Sequence, residues 1–274
     1  MVKHVLVTGA YGLIGGALYQ HLAAQPERYT AYALARRRHL SERASLSRKL
    51  DVPDERFTLS DLSDLDVLVE AMAGIDVVVH LAAEPNSEAP WEPVLASNVI
   101  GARNVFEAAR LAGVRRVVYA SSIMVSWGYQ AEEPYRSLFE GRYEEVAPQE
   151  VPLIQHTWPA RPTSYYPASK VWGEALARVY ADAHGLSVLC VRIGWVNVED
   201  APHTHGWARA TWCSQRDIVH CFERAIHAPD ALRYDVFYAT SDNTWKWVDI
   251  DHAREVLGYA PQDNAEERLR TNKE

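Results

Sequence analysis

The chain has 274 residues, a length that one α/β core with a small appended lobe can hold. Apolar residues make up 48% and charged residues 23%, and a net charge of −8 sets the overall field against nucleic acid or an acidic membrane as the main partner. No run approaches the roughly 20 apolar residues that span a bilayer, and the opening Met1–Val7 stretch lacks a signal-peptide layout, so a cytoplasmic protein is expected. Cys190, Cys213 and Cys221 are too few and too oddly spaced for a disulfide framework or a zinc site. His203-Thr204-His205 is the only close histidine pair; without a third ligand beside it, it reads as a polar loop, and no metal is expected.

The first two-thirds of the chain alternates short β-rich apolar runs with longer helical patterns, the signature of βαβ units on a parallel sheet. Strands are predicted at 4–8, 30–34, 56–59, 77–81, 117–120 and 188–193, with a last one near 236–239. Helices are predicted near 13–24, 65–73, 93–112 and 164–184. In the third of these Leu95, Val99, Ala102, Phe106 and Ala109 recur every three or four residues, a stripe expected to face the core. Residues 129–162, rich in Glu and Pro with aromatics interleaved, break the rhythm. So long a connection inside a compact domain is expected to be a lid or a disordered excursion. Residues 196–211 form a second loop. Both leave the carboxyl edge of the sheet, where ligands of open α/β sheets sit, so both are candidate substrate walls. The fold expected is a doubly wound parallel sheet over 1–195, with 129–162 inserted, and a small substrate-binding part over 196–274.

After the first strand the chain reads Thr8-Gly9-Ala10-Tyr11-Gly12-Leu13-Ile14-Gly15. Glycines at this spacing allow a tight strand-to-helix turn and close approach of backbone N–H groups to a pyrophosphate, seated on the positive end of the helix. A plain glycine-rich turn is the blander reading, but the strand before and the helix after favour a dinucleotide. The second strand ends in Ala35-Arg36-Arg37-Arg38, with no carboxylate to take the adenosine 2′-hydroxyl of NAD. Arg36 and Arg37 would instead donate to a 2′-phosphate, which favours NADP over NAD; a solvated basic run is the alternative.

Tyr166-Pro167-Ala168-Ser169-Lys170 puts a phenol and an ammonium four residues apart, on one face of a helix that Thr163 or Ser164 could cap. A tyrosine is a poor base at neutral pH, and a nearby Lys⁺ is expected to lower its pKa, so that Tyr166 takes a hydroxyl proton while the adjacent carbon gives hydride to nicotinamide. Ser122, at a strand end, would bond the same oxygen.

The combination of these pieces with Asp61-Leu62, His80-Leu81-Ala82-Ala83, Asn98-Val99-Ile100-Gly101 and Val191-Arg192-Ile193-Gly194 resembles the extended short-chain dehydrogenase/reductase family over residues 4 to 195. The resemblance implies a Rossmann-type fold with Ser122, Tyr166 and Lys170 catalytic, and Asp61 and Leu62 at the adenine. It further implies that Leu81, Ala82 and Ala83 line the cofactor groove, that Asn98 supports the active-site helix, and that Ile193 borders the nicotinamide. Read alone, Asp61 would be a helix cap and His80 a satisfied core histidine. The stretches 211–217, 241–243 and 257–266 look like the ending of uronate dehydrogenases and of related NAD-dependent glucose-6-phosphate dehydrogenases, which implies oxidation of a sugar C1 hydroxyl to a lactone by a homodimer. Uronate dehydrogenases carry Asn-His after the serine, where this chain has Ile123-Met124, and their carboxylate-binding arginine is matched only by a displaced Arg209. Ile123, Met124, Trp127, Trp195 and Arg209 are the candidate substrate contacts. Trp158 and Trp207 share the loops, as do Arg136, Arg142 and Arg161; each taken singly reads as packing or solvated charge. The rivals are an epimerase or dehydratase that retains its cofactor, and a non-catalytic NADP(H)-binding protein.

Overall fold

Seven parallel strands stand side by side in the order β3-β2-β1-β4-β5-β6-β7. They are β1 (Lys3–Thr8), β2 (Tyr29–Ala35), β3 (Phe57–Leu59), β4 (Val77–His80), β5 (Arg116–Ser122), β6 (Ser187–Ile193) and β7 (Tyr234–Ala239). This computed structural model describes residues 1–44, 49–204 and 206–271. The order reverses between β1 and β4, and that switch point opens a crevice at the carboxyl ends of the strands. Because both faces of a parallel sheet are covered, successive side chains enter opposite cores. Val5, Val7, Val77, Val79, Val118 and Val191 go to one, and Leu6, Val78, Val117 and Val188 to the other.

On the first face lie α1 (Leu13–Ala23), α8 (Gln215–Ile226) and α9 (Asp251–Leu257), and on the second α2 (Leu65–Ala71), α4 (Gly101–Leu111) and α6 (Tyr165–His184). The helix expected as continuous from 93 to 112 is built from three pieces: α3 (Trp91–Val94), a π turn over Leu95–Ile100, and α4. The wider turn shifts the face. Val94 and Asn98 are buried, while Leu95 and Val99, assigned to the core by periodicity, are only half-buried. Such turns concentrate at functional sites.

Residues 129–162 are not a disordered excursion. A 3-10 stretch (Ile123–Ala131) leads into α5 (Tyr135–Glu140), and Ile154 forms a parallel bridge with Val248. This insertion has its own core, where Trp127, Tyr135, Leu138, Tyr143 and Ile154 pack on Tyr238, Trp247 and Ile250. The part beyond 196, for which no helix was expected, holds α7 (Ala208–Thr211), α8, α9 and α10 (Ala265–Thr271) and supplies β7 to the sheet. Ser214 caps α8, its hydroxyl oxygen accepting from the Asp217 N–H at 3.0 Å.

Candidate active site

Ser122 ends β5 and Tyr166 opens α6, and the serine hydroxyl is near enough to the phenol to favour its ionised form. The Met124 N–H donates to Ser122 Oγ at 3.1 Å, which leaves the serine proton for the phenol. Ser164 occupies the cap position of α6 but does not cap it; its hydroxyl donates to the Ser87 carbonyl at 2.7 Å. Lys170, one turn past Tyr166, is buried, donates to the Ala120 carbonyl at 2.9 Å and lies 5.7 Å from the centroid of the Tyr166 ring. Burial pushes the lysine down to about 8, so it still carries charge at neutral pH. The tyrosine departs from expectation. Burial raises its pKa, and the Ser122 hydroxyl and the charge of Arg43 only oppose that rise. The desolvation of the phenol outweighs the charges around it.

Beneath this trio lies a polar network that sequence reading missed. Glu174, one further turn along α6, accepts from Ser121 Oγ at 2.5 Å and from Arg192 Nε and Nη2 at 2.9 and 2.8 Å. Arg192 also donates to the Tyr238 hydroxyl, which is bonded to Ser126. Burial works against the arginine's charge, but the Glu174 carboxylate and its hydrogen bonds prevail, and the net shift is upward. The signal was present: Tyr166, Lys170 and Glu174 recur at intervals of four, one helical face.

The switch-point crevice lies beside the trio. Gly9 has φ +69°, and a Cβ on Gly15 would stand 2.2 Å from the Gly9 carbonyl oxygen, so this turn closes only with glycine there. Helix α1 begins behind Gly12 with no side-chain cap and no acidic residue in its first turn, which suits a dinucleotide pyrophosphate. Tyr11 is buried, while Leu13 and Ile14 lie half-buried on the opening turn of α1. Thr8 Oγ1 accepts from the Leu81 and Ala82 N–H groups, both at 3.2 Å, and pairs with His80 Nδ1 at 2.8 Å; Ala82 and Ala83 follow, half-buried. His80 is thus a satisfied core histidine, pushed by burial down to about 3. Asp61 is not a helix cap. It accepts from the Ser63 N–H and hydroxyl, while Asp64 caps α2. Leu62 is buried with φ 75°, and its carbonyl accepts from Asn104 at 2.9 Å. Asn98, in the π turn, bonds both backbone groups of Glu84 and donates to Ser169 Oγ at 3.1 Å, tying that turn to α6. Arg36 is exposed and Arg37 half-buried, whereas Arg38 pairs with Asp54 and lies over Phe57. Arg43 belongs to the segment that Ser41 holds against the glycine turn through the Tyr11 carbonyl.

Residues 5–205 match the NAD dependent epimerase/dehydratase family. The chain belongs to this family. It is 35% identical over 272 residues to the NAD-dependent glucose-6-phosphate dehydrogenase of Haloferax volcanii, covering 97% of this chain and 96% of that one. The L-arabinose 1-dehydrogenase (NAD(P)(+)) of the same organism is 34% identical, with 96% and 98% covered. A mutant uronate dehydrogenase from Agrobacterium tumefaciens, complexed with NAD, superposes with a TM-score of 0.77 at 31% identity, over 100% of this chain and 89% of that one.

The substrate side of this family member is aromatic. Ile193 pairs with Ser122 across β5 and β6, and Trp195 follows two residues later. Trp195 is half-buried and meets Trp207 edge to face at 5.4 Å and His203 at 4.7 Å; His205 lies outside the described residues. Met124 is half-buried. Ile123 and Trp127 sit in the insertion's core instead of on an open face. Trp158 packs against Tyr129. The candidate arginines are engaged. Arg209 lies 3.6 Å from Glu266, with its guanidinium over the Tyr143 and Trp245 rings. Arg142 pairs with Glu133, Glu140 and Glu145. Arg161 pairs with Glu132 over the Tyr129 ring, and exposed Arg136 donates to the Ala131 carbonyl.

Among the described residues, His156, Asp235 and His252 bring metal-ligating atoms within 4.8 Å of one another. The two imidazoles are cofacial, 3.9 Å apart and tilted by 14°, and His252 Nε2 faces both Asp235 oxygens at 3.0 Å. Two nearly parallel stacked rings cannot both aim a nitrogen in-plane at one ion. The group as built is a stacked pair held by a carboxylate.

Proposed function

We propose that this chain oxidises the C1 hydroxyl of a cyclic sugar, sugar acid or sugar phosphate to the lactone, with NAD(P)⁺ as hydride acceptor. The observation that carries this reading is the convergence of Ser122, at the end of β5, and Tyr166, opening α6, with Lys170 buried one turn on, beside a crevice whose opening helix is left uncapped. A nicotinamide bound there would supply the acceptor for the hydride leaving C1. Ser122 orients the sugar oxygen, Tyr166 takes its proton, and Lys170 keeps a positive charge beside the phenol as it ionises. Because burial raises the Tyr166 pKa, turnover is expected to climb as pH rises from neutrality and to flatten above about 8, where Lys170 gives up the charge that helps the phenol ionise.

In this reading Gly9, Gly12 and Gly15 let the pyrophosphate approach the turn, with the backbone of Tyr11, Leu13 and Ile14 around it. Asp61 and Leu62 border the adenine, Leu81, Ala82 and Ala83 line the groove, Ile193 flanks the nicotinamide, and Asn98 steadies α6. NADP is preferred to NAD because Arg36 and Arg37 follow β2 with no carboxylate between them and a 2′-phosphate. Residues 1–195 then hold the cofactor and the remainder shapes the sugar site. The exposed Ile100, Leu111, Trp172 and Val179 along the α3–α4 limb and α6 suit a homodimer. Three buried free thiols suit the reducing cytoplasm.

The rival within the family is an epimerase or dehydratase. A 4,6-dehydratase would present Asp-Glu beyond the serine as acid and base, where this chain has buried Ile123 and then Met124. A net-redox assay separates the two. Steady growth of NAD(P)H with a free sugar supports the dehydrogenase, and isomerised or dehydrated sugar without cofactor turnover refutes it.

A further inference from the structure

We infer that the sugar this site accepts is uncharged: an aldose bearing neither carboxylate nor phosphate. The inference rests on the dehydrogenase reading and narrows its substrate class.

Residues 129–162 and 196–211 are the candidate walls of the space beyond Ser122 and Tyr166, and their charge is the first observation. Residues 129–162 hold six glutamates against three arginines, and 196–211 hold one glutamate and one aspartate against a single arginine, with no lysine in either. An anionic sugar approaching these walls meets a field of its own sign, and a low-dielectric cleft strengthens that field.

The second observation is where those four arginines point their charge. Arg142 and Arg161 are in glutamate pairs, and Arg136 bonds a carbonyl. Arg209, the residue nearest in sequence to a carboxylate clamp, has its charge matched by Glu266 on α10 and lies against the adjoining Tyr143 and Trp245 rings. Freeing it for a substrate anion would take the countercharge from the buried Glu266 Oε1 and leave that carboxylate with the Thr244 N–H at its other oxygen. Arg43 is the cation felt by Tyr166. It arrives on the segment pinned to the glycine turn, and therefore from the cofactor side, where a pyrophosphate would match it.

The third observation is what the walls do offer. Trp195, two residues past the strand position paired with Ser122, stands edge to face with Trp207 and half-exposed. An indole face accepts the C–H face of a pyranose or furanose ring without any charge. Selectivity then comes as much from repelling the wrong sugar as from holding the right one.

The test pairs sugars of one ring that differ only in charge: glucose against glucuronate and glucose 6-phosphate, and galactose against galacturonate, with arabinose and xylose added, each with NADP and with NAD. The expected result is a kcat/KM for neutral sugars higher by about 100-fold or more than for their charged counterparts. Added salt should raise the charged values and leave the neutral ones alone. Trp195→Ala should raise KM for the neutral sugar about tenfold while changing kcat less. A uronate or sugar phosphate used as well as its neutral partner overturns the inference and leaves the dehydrogenase standing. If no sugar of either kind reduces the cofactor, the dehydrogenase reading fails. Quenching of tryptophan emission by glucose and by glucuronate, with NADP⁺ present, then still reads the preference, and tighter binding of glucuronate overturns it.

Discussion

The cofactor half and the substrate half of this molecule are built on different physics. Around β1, β4, β5 and β6 the chain is regular, apolar and locally determined, and its few polar groups are buried and paired: Thr8 with His80, Glu174 with Arg192. The insertion and the part after 196 have aromatic cores and many partly exposed ion pairs, such as Arg161–Glu132 and Arg142–Glu145. Buried polar pairs are costly to break and exposed ones contribute little, so the first half should answer mutation with loss of structure or chemistry. The second should answer mainly with changed selectivity.

A large effect is expected at Lys170. Lys170→Met removes the charge beside the phenol, and kcat should fall by about 10²–10⁴-fold with cofactor affinity changed far less; stopped-flow or steady-state rates against cofactor titration check this. Next comes the buried pair. Glu174→Gln leaves Arg192 buried beside a neutral amide, and denaturant unfolding should show a loss of about 3–5 kcal/mol.

Acid should act on both halves. His80, pushed down to about 3, and His156, His220 and His227, also lowered, all by burial first, are neutral in the fold and protonate more readily in the unfolded chain. The unfolded chain therefore binds more protons below its ordinary histidine value, and stability falls as pH drops through roughly 6.5. Each such histidine contributes a slope of at most about 1.4 kcal/mol per pH unit. His80→Gln should flatten the fall in unfolding free energy between pH 6 and 5; an unchanged slope would show that His80 does not titrate as its burial dictates.

The same division decided what could be read from the amino-acid order. All seven strands and the glycine turn were legible because β-rich runs and helical periods are local signals, and Tyr166 and Lys170 because four residues make one helical turn. The π turn at Leu95–Ile100 was not, since periodicity carries no mark of one extra residue per turn. Helices α8, α9 and α10 were masked by their polar composition, although Ser214 and Asp217 form a readable start signal for α8. Glu174–Arg192 and Arg209–Glu266 join residues 18 and 57 apart in the chain, and such pairings appear only once the sheet and α10 are assembled. The upward shift of Tyr166 was missed for the same reason: proximity to a lysine is visible in sequence, but the depth of the phenol is not.

Smaller effects sharpen the contrast. Replacing Arg36 and Arg37 together by alanine should lower the preference for NADP over NAD by roughly tenfold, the scale of one or two charge-assisted hydrogen bonds; kcat/KM with each cofactor measures it. Arg161→Gln, which breaks an exposed pair, should change unfolding free energy by less than about 1 kcal/mol. A larger loss would place the insertion among the elements that hold the fold.

The most direct test of the chemistry is Tyr166→Phe, which removes one oxygen and little volume. Net NAD(P)H formation from the preferred sugar should fall by at least about 10³-fold while cofactor affinity stays within a few-fold of the parent. Turnover retained in that variant would mean that another group takes the proton and would contradict the assignment of the Ser122–Tyr166–Lys170 site.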